Sequence, residues 1–183
     1  MNEKRQLLIE TALALFYQNG INSVGINEVL KVSGVAKKTL YSHFDSKEAL
    51  ILAALEHRHE IFTAWLASKL DGISNNYDLV EKLFHALNSW FIGSEPTLGS
   101  FRGCFFINSS AEFSDQNSDI SLYCHKHKQE VKNLIGQKMN KEDSLFLDAL
   151  CIMKEGAITT AYMSGDYDVT DQCIKILNAK MVE

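Results

Sequence analysis

Five polar side chains in one short stretch could contact nucleic acid. They are Lys37, Lys38, Thr39, Tyr41 and His43. Lysine neutralises phosphate charge, the Thr and Tyr hydroxyls hydrogen-bond phosphate oxygens, and lysine or histidine can reach acceptors on base edges. Lys47 follows, and we expect it beside a helix N-terminus, where backbone N–H groups also favour phosphate. The stretch therefore indicates a DNA-contacting surface.

Apolar spacing predicts the helices that must position these side chains. The first helix covers residues 4–19 and ends at Gly20, where a left-handed cap is expected, and the second covers residues 26–33. Ser33-Gly34 supplies a tight turn, because glycine readily takes positive φ. A seven-residue third helix should then begin, with Val35 and Leu40 anchoring its inner side.

The start of the fourth helix carries a capping-box pattern. Asp45 is followed three residues later by Glu48, which is the spacing of a side-chain cap and its reciprocal partner. Gly25 and Ala36 precede the second and third helices without the hydroxyl that usually caps a helix start. We expect these two starts to lack a side-chain cap.

Residues 5–50 resemble the DNA-binding domain of the TetR family of bacterial transcriptional regulators. The resemblance lies in the order and spacing of Gly34-Val35, Thr39-Leu40-Tyr41, His43-Phe44 and Ser46-Lys47-Glu48. It implies an all-α fold, with an N-terminal three-helix helix-turn-helix domain followed by a helical ligand-binding and dimerisation domain. It also implies a homodimer that binds a palindromic operator in double-stranded DNA and is released by a small-molecule effector.

Charge and composition agree with two domains, at residues 1–47 and 48–183. The first carries six Lys/Arg and four Asp/Glu, a net charge of +2, whereas the second has a net charge of −7. This balance favours a small, directed contact with DNA. The single proline and the lack of alternating strand patterns indicate a helical body. Its helices are predicted near 46–70, 77–92, 101–113, 118–139, 142–165 and 169–182.

We expect a cytoplasmic protein with no membrane partner. The sequence shows no signal-peptide pattern, and its longest apolar run is too short to span a bilayer. The four cysteines should therefore be mostly reduced thiols.

Aromatic residues in the second domain could line an apolar effector pocket. Phe84, Trp90 and Phe105 are the best candidates, although ordinary core packing uses the same residue types.

Cys104 belongs to a sharper motif, in which Gly103-Cys104 is followed by Asn108 and Glu112 at helical spacing. This motif resembles a TetR branch that includes regulators sensing electrophiles or oxidants through the cysteine. A position in the first turn of a helix and the nearby Arg102 would both favour a thiolate. The neighbouring phenylalanines would instead favour a buried and inert thiol, so both interpretations stay open.

No metal, cofactor or catalytic site is expected. Cys124, His125 and His127, with His85 elsewhere, have poor spacing for a four-ligand metal site. The sequence has no phosphate-binding loop, nucleophile elbow or paired-carboxylate pattern, which argues against an enzyme.

The last two predicted helices have the composition of a dimer interface. The resemblance to TetR proteins implies that they pair with their mates in a four-helix bundle, and a fully buried core helix is the alternative. The candidate dimerisation residues are Leu150, Met153, Ala157, Ala161, Ile174 and Leu177.

These patterns favour a homodimeric repressor released by a small apolar or electrophilic effector. A thiol-based redox or electrophile sensor acting through Cys104 is the alternative. A helical ligand-binding protein that has lost its DNA function is the third hypothesis.

Overall fold

The computed structural model describes residues 3–140 and 143–181, and every long element within them is an α-helix. The helices are α1 Glu3–Asn19, α2 Ile26–Ser33, α3 Lys37–Tyr41, α4 Lys47–Lys69, α5 Asn76–Phe91, α6 Phe105–Glu112, α7 Asp119–Gly136, α8 Ser144–Ser164 and α9 Val169–Lys180. The all-α prediction is confirmed. The predicted helix limits at residues 142 and 182 lie outside the described residues. In the described part of the chain, no helix combines the length and the apolar character needed to cross a membrane.

One compact unit contains the helix-turn-helix segment. It extends along the chain to Glu60 and also includes Phe105–His127. Helices α1, α2 and α3 pack against one another, and their core includes Leu8, Phe16 and Leu40. Because α6 and the first part of α7 group with these helices, the unit is larger than the segment 1–47.

The other compact unit comprises Ile61–Cys104 and the described residues from Lys128 onward. Helix α5 packs against both α8 and α9, and α8 packs against α9. Side-chain caps define two of the helix starts. Asn75 accepts a hydrogen bond from the Asp78 N–H at 3.0 Å, and Asp143 begins α8 in the same way.

Several helices are shorter than the sequence patterns indicated. Helix α3 has five residues, not seven, α6 begins at Phe105, not at residue 101, and α7 ends at Gly136, not at residue 139. Gly103 explains the late start of α6, because its positive φ interrupts a right-handed helix before Cys104. A short 3-10 helix at Pro96–Leu98 precedes Gly103 and was not predicted.

A buried carboxylate joins three segments of this second unit. The Glu95 carboxylate accepts hydrogen bonds from the Trp65 Nε1–H at 2.9 Å and the Ser89 hydroxyl at 2.5 Å. It also forms an ion pair with Lys69 at 2.7 Å. Burial acts to raise the pKa of the Glu95 carboxyl, but the hydrogen bonds and charge of these partners outweigh burial and lower it. The ionised carboxylate therefore stabilises the folded state.

We predict that Glu95→Gln lowers the free energy of unfolding by about 1 to 3 kcal/mol at neutral pH, because a charged and buried acceptor is lost. The folded-state pKa lies below the ordinary value of 4.5, so the difference from the native chain should be complete well above pH 4.5 and shrink as the pH falls below it. Urea unfolding at several pH values measures this. Glu81→Gln, at an exposed position on α5, is the control. A difference independent of pH would contradict the assignment.

Candidate functional site

A tight turn joins α2 to α3 as the sequence predicted. Gly34 ends α2 with φ of +68°, and its N–H donates to the Leu30 carbonyl at 2.9 Å. Val35 and Leu40 are both buried, and Leu40 has no exposed surface. The prediction that these two residues anchor α3 is confirmed.

The opposite side of α3 presents the predicted polar residues. Lys37, Lys38 and Tyr41 are exposed, whereas Thr39 and His43 are half-buried. The Lys37 Nζ lies 6.0 Å from the centre of the Tyr41 ring, so these two side chains share one patch. The arrangement gives α3 an outer surface of two ammonium groups and a phenol.

The helix starts near this surface differ in how they are capped. Gly25 and Ala36 precede α2 and α3 with no side-chain cap hydrogen bond, as expected. The Asp45 capping box was wrong, because α4 begins one residue later than that pattern requires. The Ser46 hydroxyl oxygen instead accepts from the Ala49 N–H at 3.1 Å. The pKa of the Glu48 carboxyl is lowered by hydrogen bonds from its own backbone N–H and from Ser46.

Lys47 is half-buried and has contacts within its own unit. Its Nζ donates to the Ile21 carbonyl oxygen at 2.8 Å and lies 5.9 Å from the centre of the Phe16 ring. Lys47 therefore links the start of α4 to the turn between α1 and α2. The structure adds this internal role to the phosphate contact predicted from its position.

Cys104 is buried and is the residue immediately before the start of α6. The prediction that it shares a helix face with Asn108 and Glu112 was wrong, because the helix starts after it. Gly103, with φ of +76°, lies against Tyr162 so closely that an added Cβ would be 3.1 Å from the ring. The cysteine is thus held in a tightly packed loop.

A lysine from α7 contacts the Cys104 sulfur. The Lys128 Nζ lies 3.2 Å from Sγ and 2.7 Å from a carboxylate oxygen of Glu155 on α8. Lys154, which is buried, forms a second ion pair with Glu155. The sequence analysis missed Lys128, because no spacing rule connects it to a cysteine 24 residues earlier.

The electrostatics of this cluster keep its charged groups ionised. Burial acts to lower the pKa of Lys128, but the Cys104 sulfur and the Glu155 carboxylate raise it overall. Burial acts to raise the pKa of Glu155, but Lys154 and Lys128 lower it overall. The Cys104 sulfur therefore has an ammonium group as its neighbour.

Comparison with known proteins bears on the first of these two sites. Residues 8–54 match the family model described as bacterial regulatory proteins, tetR family. This N-terminal segment is therefore similar to the DNA-binding domain of that family. The match includes α2, the glycine turn and α3 in full.

Two relatives extend the similarity by sequence, and one of them also does so by structure. The HTH-type transcriptional regulator YuxN of Bacillus subtilis is 44% identical over 75 residues, which are 40% of this chain and 26% of YuxN. The HTH-type transcriptional repressor NemR of Escherichia coli is 28% identical over 139 residues, which are 75% of this chain and 68% of NemR. The crystal structure of the reduced form of E. coli NemR has a TM-score of 0.81 and 25% identity, and the alignment covers 97% of this chain and 96% of that one.

The TetR-family regulator SCO4454 of Streptomyces coelicolor has the same fold. Its crystal structure gives a TM-score of 0.82 at 24% identity, covering 98% of this chain and 94% of that one. All three relatives are named as transcriptional regulators or repressors, and none is named as an enzyme.

The aromatic residues predicted to bind an effector are divided between the two units. Phe84 and Trp90 are buried in the second unit, where Trp90 lies 4.9 Å from the Phe101 ring centre. Phe105 belongs to the first unit and packs edge-on against Tyr17 at 5.8 Å. One open cavity of about 720 Å³ lies between the end of α7 and the start of α8, and none of these three predicted residues lines it.

The six residues predicted for dimerisation differ in their exposure within one chain. Leu150, Ala157, Ala161 and Leu177 are buried within this chain, and Met153 and Ile174 are half-buried. These four buried side chains pack in the core of their own unit.

A different row of apolar residues on α8 faces solvent. Ile152 is 72% exposed and Met163 is 80% exposed, and Leu145 and Gly156 are exposed at matching helical positions. Ile176 adds an exposed apolar residue on α9. We call these five residues the outer face.

One of the two histidines near Cys124 contacts a histidine of α4. His127 is buried, its Nδ1 lies 2.9 Å from the Nδ1 of His59, and the Phe106 ring stacks on it. Within residues 3–140 and 143–181, no group of three or more His, Cys, Asp or Glu side chains is arranged to hold a metal ion.

We predict that Lys38→Ala weakens binding to a random-sequence DNA duplex and reduces the slope of log K against log salt by about one, because one phosphate contact is lost. Its unfolding midpoint in urea should not change. Lys47→Ala should likewise weaken DNA binding. Unlike Lys38→Ala, it should lower the free energy of unfolding, by about 1 kcal/mol, because the Ile21 carbonyl loses its donor. Fluorescence anisotropy at several salt concentrations measures the slopes. Lys175→Ala, exposed on α9, is the control, and equal slopes for Lys38→Ala and Lys175→Ala would contradict the placement.

Proposed function

We propose that this chain is a homodimeric transcriptional repressor that binds a palindromic operator in double-stranded DNA and leaves it when a small apolar or electrophilic effector binds. One observation carries the proposal. The segment that matches the tetR family model presents Lys37, Lys38 and Tyr41 on the outside of a helix whose inner side is buried. This is the geometry by which a recognition helix enters a major groove.

The sequence specificity of the proposed repressor rests on the same helix. Ammonium groups supply affinity for phosphate, and side chains that reach base edges supply discrimination. Thr39 and His43 are half-buried and have less reach than Lys37 and Lys38. We therefore assign DNA contact first to the two lysines and Tyr41. We expect their polar groups to contact phosphate on any duplex and also to reach base edges on the operator.

Selection of bound sequences from a random duplex pool by the purified chain tests the proposal. The expected result is enrichment of a palindrome whose half-sites lie about one helical turn apart, or a multiple of it. Enrichment of no sequence by a folded dimer would overturn the proposal and favour a helical ligand-binding protein without DNA function.

The outer face supports the homodimer. Large apolar side chains that are mostly exposed in a single copy lose that exposure when a second copy covers them. The row on α8 repeats at helical spacing, and Gly156 in the middle has nothing within 4 Å of an added Cβ, so a helix from a second copy could approach closely there. The face therefore suits helix-on-helix pairing between two copies.

We predict that Ile152→Glu weakens the dimer by roughly tenfold or more, because it places a charge within an apolar contact. Sedimentation equilibrium of the native chain and the variant measures the dissociation constant. Ile92→Glu is the matched control, since Ile92 is also an exposed isoleucine but follows α5 and lies outside the outer face. Equal dissociation constants for the native chain and Ile152→Glu would remove the outer face from the interface.

The Lys128–Cys104 contact favours a second candidate, a regulator whose effector modifies Cys104 covalently. The Lys128 ammonium group lies 3.2 Å from the Cys104 sulfur, and the reactive form of a cysteine is the anionic thiolate. With a quinone, the thiolate sulfur bonds to a ring carbon and the C=C π electrons move to a ring oxygen. That oxygen takes a proton from solvent, and the other ring oxygen gains the proton that the substituted carbon loses, which gives a hydroquinone thioether with no other oxidant. The crystal structure of the similar protein NemR from E. coli is that of its reduced form.

We predict that p-benzoquinone releases the native chain from its selected duplex and that Cys104→Ser abolishes this release. Lys128→Met should slow modification of Cys104 about tenfold at neutral pH, because the thiolate loses its neighbouring positive charge. Mass spectrometry of the modified peptide measures the rate. Cys173→Ser is the control, since burial raises the pKa of the Cys173 thiol and makes it a poor nucleophile. Unchanged release by Cys104→Ser would leave the noncovalent effector as the proposal.

A further inference from the structure

Glu112, the last residue of α6, binds the turn between α1 and α2. Its Oε1 accepts a hydrogen bond from the Ile21 N–H at 2.8 Å, and its Oε2 accepts one from the Asn22 N–H at 2.6 Å. Its backbone carbonyl accepts a third, from the Asn22 Nδ2 at 3.2 Å. One residue therefore makes three hydrogen bonds to two consecutive residues of this turn.

Both carboxylate oxygens are used, so the contact is bidentate and charge-assisted. Hydrogen bonds to an ionised acceptor are stronger than neutral ones, and a two-point contact fixes orientation as well as distance. The two amide groups lie in the turn after α1, outside the hydrogen-bond ladder of either neighbouring helix. The carboxylate thus supplies acceptors for a segment that secondary structure leaves without them.

Gly20 makes this close approach possible. It has φ of +84°, and an added Cβ would lie 3.3 Å from Oε1 of Glu112. A side chain at this position would be strained by the backbone conformation and would also press on the carboxylate. Gly20 therefore follows the end of α1 and also leaves the space that the Glu112 carboxylate occupies.

The same peptide segment is held from its other side. The Ile21 N–H donates to Glu112, and the Ile21 carbonyl accepts from Lys47 at the start of α4. The turn between α1 and α2 sets the direction of α2, and α2 leads directly into the glycine turn and α3. Two side chains distant in sequence thus fix the segment on which the position of α3 depends.

We infer that Glu112 is a positioning residue for DNA recognition, holding the α1–α2 turn so that α3 is presented in its DNA-binding arrangement. This inference rests on the proposed function. It gives a role to the member of the Gly-Cys, Asn and Glu motif that neither effector hypothesis uses. At the first residue of α6, Phe105 packs against Tyr17 of α1. Both ends of α6 therefore contact α1 or the turn that follows it.

Three full-length variants test the inference against the duplex selected by the native chain. Glu112→Ala removes both side-chain acceptors, Glu112→Gln keeps one neutral acceptor, and Glu56→Gln makes the same charge change at an exposed position on α4. We expect Glu112→Ala to weaken binding of the selected duplex about tenfold, and binding of an unselected duplex by less than about threefold. The affinity of Glu112→Gln for the selected duplex should fall between those of Glu112→Ala and the native chain. The affinity of Glu56→Gln should match that of the native chain.

Amide exchange measured by NMR reports on the contact itself. The Ile21 and Asn22 amides should exchange slowly in the native chain and at least tenfold faster in Glu112→Ala, with the exchange of the Leu40 amide unchanged. Stoichiometric titration gives the DNA-competent fraction, so a loss caused by unfolding is separated from a loss of affinity. If Glu112→Ala does not fold, Glu112→Gln supplies the same comparison.

Two results would overturn the inference while leaving the proposed function in place. If Glu112→Ala kept native affinity for the selected duplex while its Ile21 and Asn22 amides exchanged fast, Glu112 would only stabilise the turn. An equal loss on selected and unselected duplexes would show that the effect is general electrostatics. A native chain that selects no duplex would overturn the proposed function and the inference with it, and it is distinguished from the first two results because the native chain itself fails.

Discussion

Burial of Leu40 is the contact on which the proposed DNA-binding surface depends. Helix α3 has only five residues, and a helix of this length is not stable alone in water, because nucleation costs more than so few hydrogen bonds return. Leu40 is completely buried, which contributes about 1.5 to 3 kcal/mol, and Val35 adds a second buried anchor. The inner side of α3 therefore determines where Lys37, Lys38 and Tyr41 are presented.

Polar contacts fix the orientation of the elements that pack around the apolar core of the first unit. Hydrophobic packing is nondirectional, so it holds helices together without fixing a unique orientation. The Ile21 peptide receives directional contacts on both sides, from Glu112 and from Lys47. In the second unit, Lys128 and Glu155 form a similar directional group, and it includes the sulfur of Cys104. Each candidate site is thus supported by charged side chains from elements distant in sequence.

The sequence predicted features that depend on local backbone geometry. The turn at Gly34 and the anchor at Leu40 could be found because glycine conformations and apolar spacing leave a clear pattern. The outer face could not be found in this way, because α8 carries apolar residues on two sides and spacing alone does not separate buried Leu150 from exposed Ile152. Lys128 was missed for a different reason: a polar contact between distant elements has no characteristic spacing. The sequence thus predicted the fold and the inner anchors of α3, whereas the structure was needed to show which charged side chains pair.

Site-specific photocrosslinking from α3 to DNA tests the central claim that this helix faces the duplex. Tyr41 and Tyr77 are 44% and 42% exposed, so a benzophenone side chain replacing either one is equally accessible. With a short random-sequence duplex at low salt, the account predicts a strong crosslink from position 41 and only background from position 77 on α5. Equal yields at the two positions, or none from position 41 under conditions where the duplex is bound, would contradict it.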